Sequence, residues 1–314
     1  MITIDDTFFK EEVRLGFTIS EAMKRSWAIQ LTLLNDILTI AQRHNIPIWM
    51  EYGSLLGAVR HGGYIPWDDD IDLCLLREDY MKLLFILQDE LPKDCMVRSF
   101  YTQKDYPLPQ AYVSNRENID VGFDEQEKEL TKKMWGCPYC CGIDIFPMDF
   151  IPKDDDYWNQ LMEIYKAVYY LGINFDEYKN IGELEESVHQ IETTLNTSIE
   201  KGDKMLSSIW KVADAVAMMT QKDEAGFVTW YPEFGMYGNN RKRSLDAYSD
   251  TIWVEFEMIK VPIPIGYEEV LKMQYGNSYM TPIKGSASHD YPYFKLQEKK
   301  ILFHNKIGQM GDIY

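Results

Sequence analysis

The 314-residue sequence lacks several features, and each absence narrows the class of protein. No run of about 18 apolar residues occurs, so an ordinary membrane-spanning helix is not expected. With 19 glycines and 13 prolines, the chain has too few of either for a fibrous or low-complexity protein. Five cysteines in a chain this long do not form the framework of a small disulfide-rich protein, and they fit reduced thiols. An ordinary globular protein is expected.

Basic residues are also scarce. There are 32 Lys and Arg against 50 Asp and Glu, which gives a formal charge of −18. A charge of this sign repels phosphate backbones and anionic lipids, so no nucleic acid and at most peripheral membrane contact are expected. The segment from Met1 to Lys10 is acidic and polar where a signal peptide would be basic and then apolar. The expected location is cytoplasmic, with the inner face of the membrane as one site of action.

Hydrophobic periodicity predicts an α+β fold with a mixed sheet flanked by helices. The predicted elements divide into an α/β unit over residues 1–150 and a mostly helical second part over 151–314. No internal repeat or flexible linker separates the two. The main predicted elements are helices over 20–44, 54–60, 78–91, 157–171 and 203–219, and strands over 46–52, 71–76, 95–100, 111–114 and 142–148.

The most informative stretch is acidic and lies at the start of a strand. Asp70 and Asp72 are two residues apart, so both carboxylates project from one face with Cα atoms about 7 Å apart. Mg²⁺ prefers carboxylate and phosphate oxygens of this kind, and Mn²⁺ is the alternative. Upstream, Gly53 and Ser54 form a turn at a helix start, with Ser54 as the expected N-cap, and such a turn presents N–H groups to a phosphate.

Each of these features also has a simpler interpretation. A lone Asp-x-Asp is usually a solvated strand edge, and Asp68 is best interpreted as a residue that caps its loop. Co-occurrence favours the metal site, because four acids within the five residues 68–72 repel one another unless a cation lies among them.

The run from Trp49 to Tyr80 closely resembles the signature of the LicD family, bacterial phosphocholine transferases related to fukutin-type ribitol-phosphate transferases. The resemblance extends over about residues 20–150 and 254–283, and it implies that residues 254–283 complete the active-site region. Further matching segments are Gly142–Asp149, Phe256-Glu257, Val261-Pro262, Tyr267–Leu271 and Tyr275–Met280.

The resemblance implies a nucleotidyltransferase-type fold in which Asp70, Asp72 and a third carboxylate, Asp144, hold the metal and act in catalysis. It implies transfer of a phospho-alcohol from a CDP-alcohol, typically CDP-choline, to a sugar hydroxyl of a cell-surface glycan, lipid-linked or teichoic-acid-type precursor, with release of CMP. Gly53 and Ser54 match the donor phosphate site, where Arg60 would offset phosphate charge. CDP-ribitol and CDP-glycerol are alternative donors, and a glycosyltransferase using Asp-x-Asp is a less favoured alternative.

Asp144 is supported by its flanking residues as well as by the resemblance. Ile143 and Ile145 form an inward pair that turns Asp144 to the opposite side of its strand, as Ile71 and Leu73 do for Asp72. The alternative third carboxylate is Asp149, which follows Pro147 and is expected to lie beyond the strand.

Three further groups have weaker support. Trp67 is the best placed of four aromatic residues considered for a choline or base contact, the others being Trp230, Tyr231 and Tyr237. The basic run Arg241-Lys242-Arg243 is expected to be a solvated loop, with contact to an anionic acceptor as the alternative. Cys137, Cys140 and Cys141 suggest zinc, but ordinary reduced thiols are the preferred interpretation.

Overall fold

The computed structural model describes residues 2–284 and 291–311. Residues 1, 285–290 and 312–314 lie outside the described residues. The helices are α1 (Glu21–Arg43), α2 (Tyr52–His61), α3 (Arg77–Glu90), α4 (Glu125–Lys133), α5 (Asp155–Ile173), α6 (Phe175–Ile181), α7 (Leu184–Leu195), α8 (Met205–Ala217), α9 (Pro232–Tyr237), α10 (Tyr267–Tyr275) and α11 (Lys295–Gly311). The strands are β1 (Glu12–Arg14), β2 (Phe17–Ile19), β3 (Trp49–Met50), β4 (Asp72–Leu76), β5 (Met96–Arg98), β6 (Ala111–Ser114), β7 (Gly142–Pro152), β8 (Ala225–Thr229), β9 (Arg243–Ser244), β10 (Thr251–Phe256) and β11 (Ile259–Pro264).

A mixed sheet forms the centre of the molecule. Its order is β3-β4-β7-β6-β5, and β8 joins it by pairing with β7 and β9. Strands β4 and β7 are parallel, whereas β6 and β8 both run antiparallel to β7. The predicted fold class, a mixed sheet with flanking helices, is confirmed.

Helix α1 forms much of the main core, as its periodicity predicts. The Ser20 hydroxyl accepts a hydrogen bond from the Met23 N–H at 3.2 Å and caps the helix. The residues Trp27, Leu31 and Leu34 recur at helical spacing, and all three are fully buried in this core.

The second part of the chain contains a separate helical core. Apolar residues of α5, α7 and α8 pack together there, with Trp158 and Trp210 almost completely buried. Helices over 157–171 and 203–219 were predicted for this part and correspond to α5 and α8. Strand β7 continues through Ile151, the predicted boundary between the two units, and its last residues pair with β8.

Two strands in the region 181–249 were not predicted. The structure places β8 and β9 there, and both extend the sheet beyond Met148, where the predicted strand ended. Pro147 does not end β7, because it pairs with Leu75 inside the parallel ladder. A proline lacks only its N–H, so a strand can pass through a position that does not require that donor.

Candidate active site

The parallel pairing of β4 and β7 brings two of the predicted carboxylates side by side. Asp72 and Asp144 are Cα partners in register, so their side chains leave neighbouring strands on the same face of the sheet. The predicted adjacency of the two strands is confirmed. Gln110, from the segment before β6, donates its Nε2 hydrogen to Asp144 Oδ1 at 3.1 Å.

The loop before β4 adds more carboxylates at this point. One carboxylate oxygen from each of Asp68, Asp69 and Asp70 lies within 4.8 Å of the others. Burial, Asp70 and Asp69 raise the pKa of the Asp68 carboxyl well above its usual value. For Asp72, burial, Asp70 and Asp144 raise the pKa in the same direction. Asp72 and Asp144 are paired on neighbouring strands, and Asp68 and Asp70 lie in the loop that leads into Asp72. We call these four residues the acidic cluster.

Asp69 has a different position from its neighbours. Its Oδ2 accepts a hydrogen bond from the Tyr293 N–H at 2.6 Å, and its main-chain carbonyl accepts one from Gln30 Nε2 at 2.9 Å. Asp69 therefore ties the acidic loop to α1 and to the segment before α11, and we leave it out of the acidic cluster.

The predicted phosphate-binding residues lie in the first turn of α2. This helix begins at Tyr52 with Glu51 at its N-cap position, two residues before the predicted start. Ser54 is therefore not the cap; its Oγ accepts a hydrogen bond from the Asp72 N–H at 2.9 Å, which joins α2 to β4. The N–H groups of Gly53 and Ser54 still lie in a first turn, where helix N–H groups have no acceptor within the helix.

Close contact with Asp68 explains the glycine at position 53. A Cβ atom there would lie 2.5 Å from Asp68 Oδ2, which is closer than atoms can approach. The Asp68 carboxylate thus packs against the start of α2 and belongs to the site. Asp68 Oδ1 also accepts a hydrogen bond from the Asp69 N–H at 3.3 Å, which agrees with its expected role in capping the loop.

Arg60 and Trp67 lie at the edge of the site. Arg60 donates from Nη1 to the Tyr279 carbonyl at 2.8 Å, and from Nε to His61 at 2.9 Å. Partial burial lowers the pKa of Arg60, while the nearby Tyr275 and Asp68 oppose that shift. Trp67 is half-buried, and its ring meets the ring of Phe17 edge-on with centroids 6.3 Å apart.

Two tyrosines lie near the acidic cluster: Tyr106 is in a segment that was not predicted to contribute, whereas Tyr275 is in the segment 254–283, which was predicted to complete the site. Burial and Asp144 raise the pKa of Tyr106, and the buried Tyr106 hydroxyl has no hydrogen-bond partner among the described residues. Burial, Asp72 and Asp68 raise the pKa of Tyr275, at the end of α10. A bound polar ligand would satisfy the Tyr106 hydroxyl. No local sequence pattern includes Tyr106, whereas Tyr275 begins the matching segment Tyr275–Met280.

A second set of charges is buried and includes Glu51, the N-cap residue of α2. We call this set the Arg243 network. The Arg243 guanidinium bonds Glu51 Oε1 at 2.8 Å and Glu233 Oε2 at 2.6 Å, with all three side chains nearly inaccessible to solvent. Glu51 also accepts hydrogen bonds from Cys74 at 3.2 Å and from Tyr248 at 3.3 Å. The interpretation of Arg243 as part of a solvated loop was wrong, because Arg243 is buried and forms ion pairs with Glu51 and Glu233.

Asp149, the alternative third carboxylate, is committed elsewhere. It lies on β7 rather than beyond the strand, and five residues of alternation turn it away from the face of Asp144. Both Asp149 oxygens accept from Arg77, at 2.8 and 2.7 Å, and Arg77 also binds Asp214. This geometry leaves Asp144 as the carboxylate on the side of the acidic cluster.

Among the described residues, no contact places the remaining aromatic candidates or the cysteine candidates at the site. Trp230 packs edge-on against Phe146 at 4.7 Å, and the Tyr231 hydroxyl donates to the Phe150 carbonyl at 2.7 Å. The side chain of Tyr237 lies outside the described residues. All five cysteines are free thiols. Within the described chain, each helix is too short or too polar to cross a bilayer.

Comparison with known proteins identifies the domain that carries these residues. Residues 45–156 match the family model described as LicD/FKTN/FKRP, nucleotidyltransferase domain. The lipopolysaccharide cholinephosphotransferase LicD of Haemophilus influenzae is 24% identical over 297 residues, which cover 89% of this chain and 98% of that protein. The human ribitol 5-phosphate transferase FKRP is 32% identical over 104 residues, which cover 32% of this chain and 21% of that protein.

A solved structure was also matched, that of ANT(2″)-Ia in complex with adenylyl-2″-tobramycin. It is 18% identical, with 59% of this chain and 97% of that chain covered, and its TM-score of 0.21 is too low for a comparison of folds. The matched segment contains the predicted phosphate-binding turn and every member of the acidic cluster. Residues 45–156 are therefore similar to the nucleotidyltransferase domain of LicD/FKTN/FKRP proteins, in agreement with the resemblance seen in the sequence.

Proposed function

We propose that this protein transfers a phospho-alcohol from a CDP-alcohol to a sugar hydroxyl and releases CMP. The observation that carries the proposal is the acidic cluster, in which Asp72 and Asp144 stand in register on parallel strands beside Asp70. Four mutually repelling carboxylates are a poor structural feature but a good site for a cation bound to an anionic diphosphate.

The residues present fit a divalent cation with oxygen ligands. Asp70, Asp72 and Asp144 would hold Mg²⁺ or Mn²⁺, and Asp68 adds charge from the loop. When bound, the metal neutralises the diphosphate and the charge that develops on the transferred phosphate. The Gln110 amide, which bonds Asp144, holds that carboxylate in one orientation.

The donor diphosphate would lie between the acidic cluster and the first turn of α2. The N–H groups of Gly53 and Ser54 would bind phosphate oxygens, and Arg60 would offset their charge from the edge of the site. The acceptor hydroxyl oxygen forms a bond to the phosphorus that carries the alcohol, the bond from that phosphorus to CMP breaks, and a carboxylate of the cluster takes the hydroxyl proton.

Choline is the favoured alcohol. The relative named a cholinephosphotransferase is matched over 98% of its length. The relative named a ribitol 5-phosphate transferase is matched over only 21% of its length. Trp67 would offer an aromatic face to the quaternary ammonium. Ribitol phosphate is the second candidate, because part of this chain is similar to FKRP. Glycerol phosphate is the third, because CDP-glycerol has the same diphosphate group for the carboxylates and the metal to bind. The acceptor we propose is a cell-surface glycan or teichoic-acid-type precursor, modified at the cytoplasmic side of the membrane.

A screen for CMP release tests the proposal. The full chain is incubated with CDP-choline, CDP-ribitol and CDP-glycerol, with and without sugar acceptors, in Mg²⁺ and in EDTA. We expect acceptor-dependent CMP release only in Mg²⁺ or Mn²⁺, and fastest from CDP-choline. Calorimetry then separates the alternatives. Equal CDP-choline affinity in EDTA and Mg²⁺ contradicts the metal-bound site, and tighter binding of UDP-sugars favours a glycosyltransferase.

A further inference from the structure

Helix α11 is fixed to the nucleotidyltransferase domain by one of its faces. The Gln297 side chain accepts from the Cys140 N–H at 2.9 Å and donates to the Cys140 carbonyl at 3.0 Å. Glu298 accepts from the Tyr139 hydroxyl at 2.8 Å, and the buried ring of Phe294 stacks on Tyr139 with centroids 4.3 Å apart. These directed contacts set which side of α11 points away from the protein.

The opposite face is both apolar and basic. Leu296, Leu302 and Phe303 are 62%, 61% and 63% exposed. Exposed lysines lie among them, at positions 295, 299 and 300. At 3.6 residues per turn these six positions fall within an arc of about 160°, opposite Gln297. We call these six residues the outer face of α11.

The charge of α11 contrasts with that of the rest of the molecule. The helix carries four lysines and one glutamate, a formal charge of +3, in a chain whose formal charge is −18. It also begins close to the candidate active site, because the Tyr293 N–H, two residues before α11, donates to Asp69 Oδ2 at 2.6 Å.

We propose that the outer face of α11 docks on an anionic membrane surface. Lysines interspersed with leucine and phenylalanine are the composition of helices that lie in a lipid interface, where the charges meet anionic headgroups and the apolar side chains enter the acyl boundary. A second copy of the chain fits less well, because a two-fold contact through this face would oppose lysine to lysine. Single exposed apolar residues are common, but three beside three lysines are not explained by chance exposure.

This inference goes beyond the proposed transfer reaction and does not depend on it. A docked α11 would hold the acidic loop near the membrane, where a lipid-linked acceptor would be reached. Without the +3 of α11 the rest of the chain carries a formal charge of −21 (−18 − 3), so the remainder of the protein would be repelled from the same surface.

Co-sedimentation of the full chain with vesicles tests the proposal in the absence of any substrate. Vesicles of phosphatidylglycerol mixed with phosphatidylcholine are compared with phosphatidylcholine alone, at low and high salt. We expect binding to the anionic vesicles that weakens with salt. Replacing Lys295, Lys299 and Lys300 by Gln should lower the partition coefficient about a hundredfold, at about fivefold for each lysine.

The apolar half of the face has its own variant and a matched control. Leu302→Ser with Phe303→Ser should lower binding at least about tenfold, whereas Phe85→Ser, at an aromatic 46% exposed on α3, should leave it unchanged. Circular dichroism checks that each variant keeps its helix content. The proposal is overturned if the parent chain does not bind, if it binds both vesicles equally, or if Phe85→Ser weakens binding as much. A concentration-dependent dimer abolished by the Leu302 and Phe303 changes would also overturn it, in favour of a second copy.

Discussion

The Arg243 network and the acidic cluster both involve the start of α2, where Glu51 of the first is the N-cap residue and Asp68 of the second packs against Gly53, and they differ in how their charge is compensated. In the Arg243 network, burial alone would lower the pKa of the guanidinium, but Glu51 and Glu233 hold it well above its usual value. In the acidic cluster, burial and neighbouring carboxylates raise the pKa of Asp68 and Asp72. The first set is satisfied within the protein, and the second set is made of like charges.

This difference separates a structural role from a functional one. A buried ion pair whose partners bond each other is fixed by the fold and gives nothing to a ligand. Repelling carboxylates destabilise the folded chain, so their presence requires a compensating gain, and binding a cation together with an anionic substrate supplies it. The predictions below test whether each set behaves as this comparison requires.

The largest expected effect is on stability, from removing the cation of the compensated set. Arg243→Met leaves Glu51 and Glu233 buried without a compensating cation, and should lower the free energy of unfolding by about 3–5 kcal/mol. Urea denaturation measures the change. Arg25→Met is the matched control, because Arg25 pairs with Glu21 at 3.6 Å on the surface and its loss should cost less than about 1 kcal/mol. Equal losses in the two variants would contradict the assignment of a structural role to Arg243.

The second effect is on turnover, from neutralising one member of the acidic cluster. Asp144→Asn keeps the shape and an oxygen that can accept from Gln110, so the chain should stay folded while kcat falls about 10²-fold or more. Steady-state CMP release measures it. Asp149→Asn is the control on the same strand, and since it breaks the paired bonds with Arg77 its main effect should be on stability. Near-normal turnover in Asp144→Asn, with turnover lost in a folded Asp149→Asn, would place the third ligand at Asp149.

The sequence predicts the acidic cluster better than the Arg243 network, and the reason is the range of the contacts. Alternation along each strand is a local pattern, so Asp72 and Asp144 could be assigned to outward faces before their pairing was known. The pairing itself followed from the family resemblance. Arg243 pairs with Glu51, which lies 192 positions away in the chain, and no local pattern encodes that contact.

The unpredicted strands have a related explanation. Strand β8 is short and contains a glycine, and its stability comes from pairing with the end of β7 rather than from its own composition. Asp68 lies in the loop before β4, as the sequence indicates. Its close approach to the start of α2 requires that position 53 has no side chain, and no sequence pattern shows this contact, because it arises only when α2 packs on the loop.

The third effect follows from supplying a divalent cation to the acidic cluster. Mg²⁺ or Mn²⁺ should raise the melting temperature by a few degrees, because a ligand at a hundred times its Kd stabilises the folded state by about 2.7 kcal/mol. Differential scanning fluorimetry with and without EDTA measures the shift. Asp72→Asn should abolish most of it, whereas Arg25→Met should keep it. A shift of equal size from NaCl at matched ionic strength would show general screening instead of a bound metal.

The smallest effect concerns the alcohol rather than the phosphates. If the carboxylates bind the metal, the positive charge of choline needs a different partner. The half-buried Trp67 precedes Asp68 in the sequence, so it offers an aromatic face next to the acidic cluster in the chain. A cation–π contact is worth roughly 0.5–2 kcal/mol, so Trp67→Ala should raise KM for CDP-choline roughly two- to thirtyfold, and more than for CDP-ribitol or CDP-glycerol. Trp253→Ala, at a tryptophan 39% exposed on β10, serves as the control and should leave all three donors unaffected. Equal increases for all donors in Trp67→Ala would mean that Trp67 only packs against Phe17, and that the alcohol is selected elsewhere in the site.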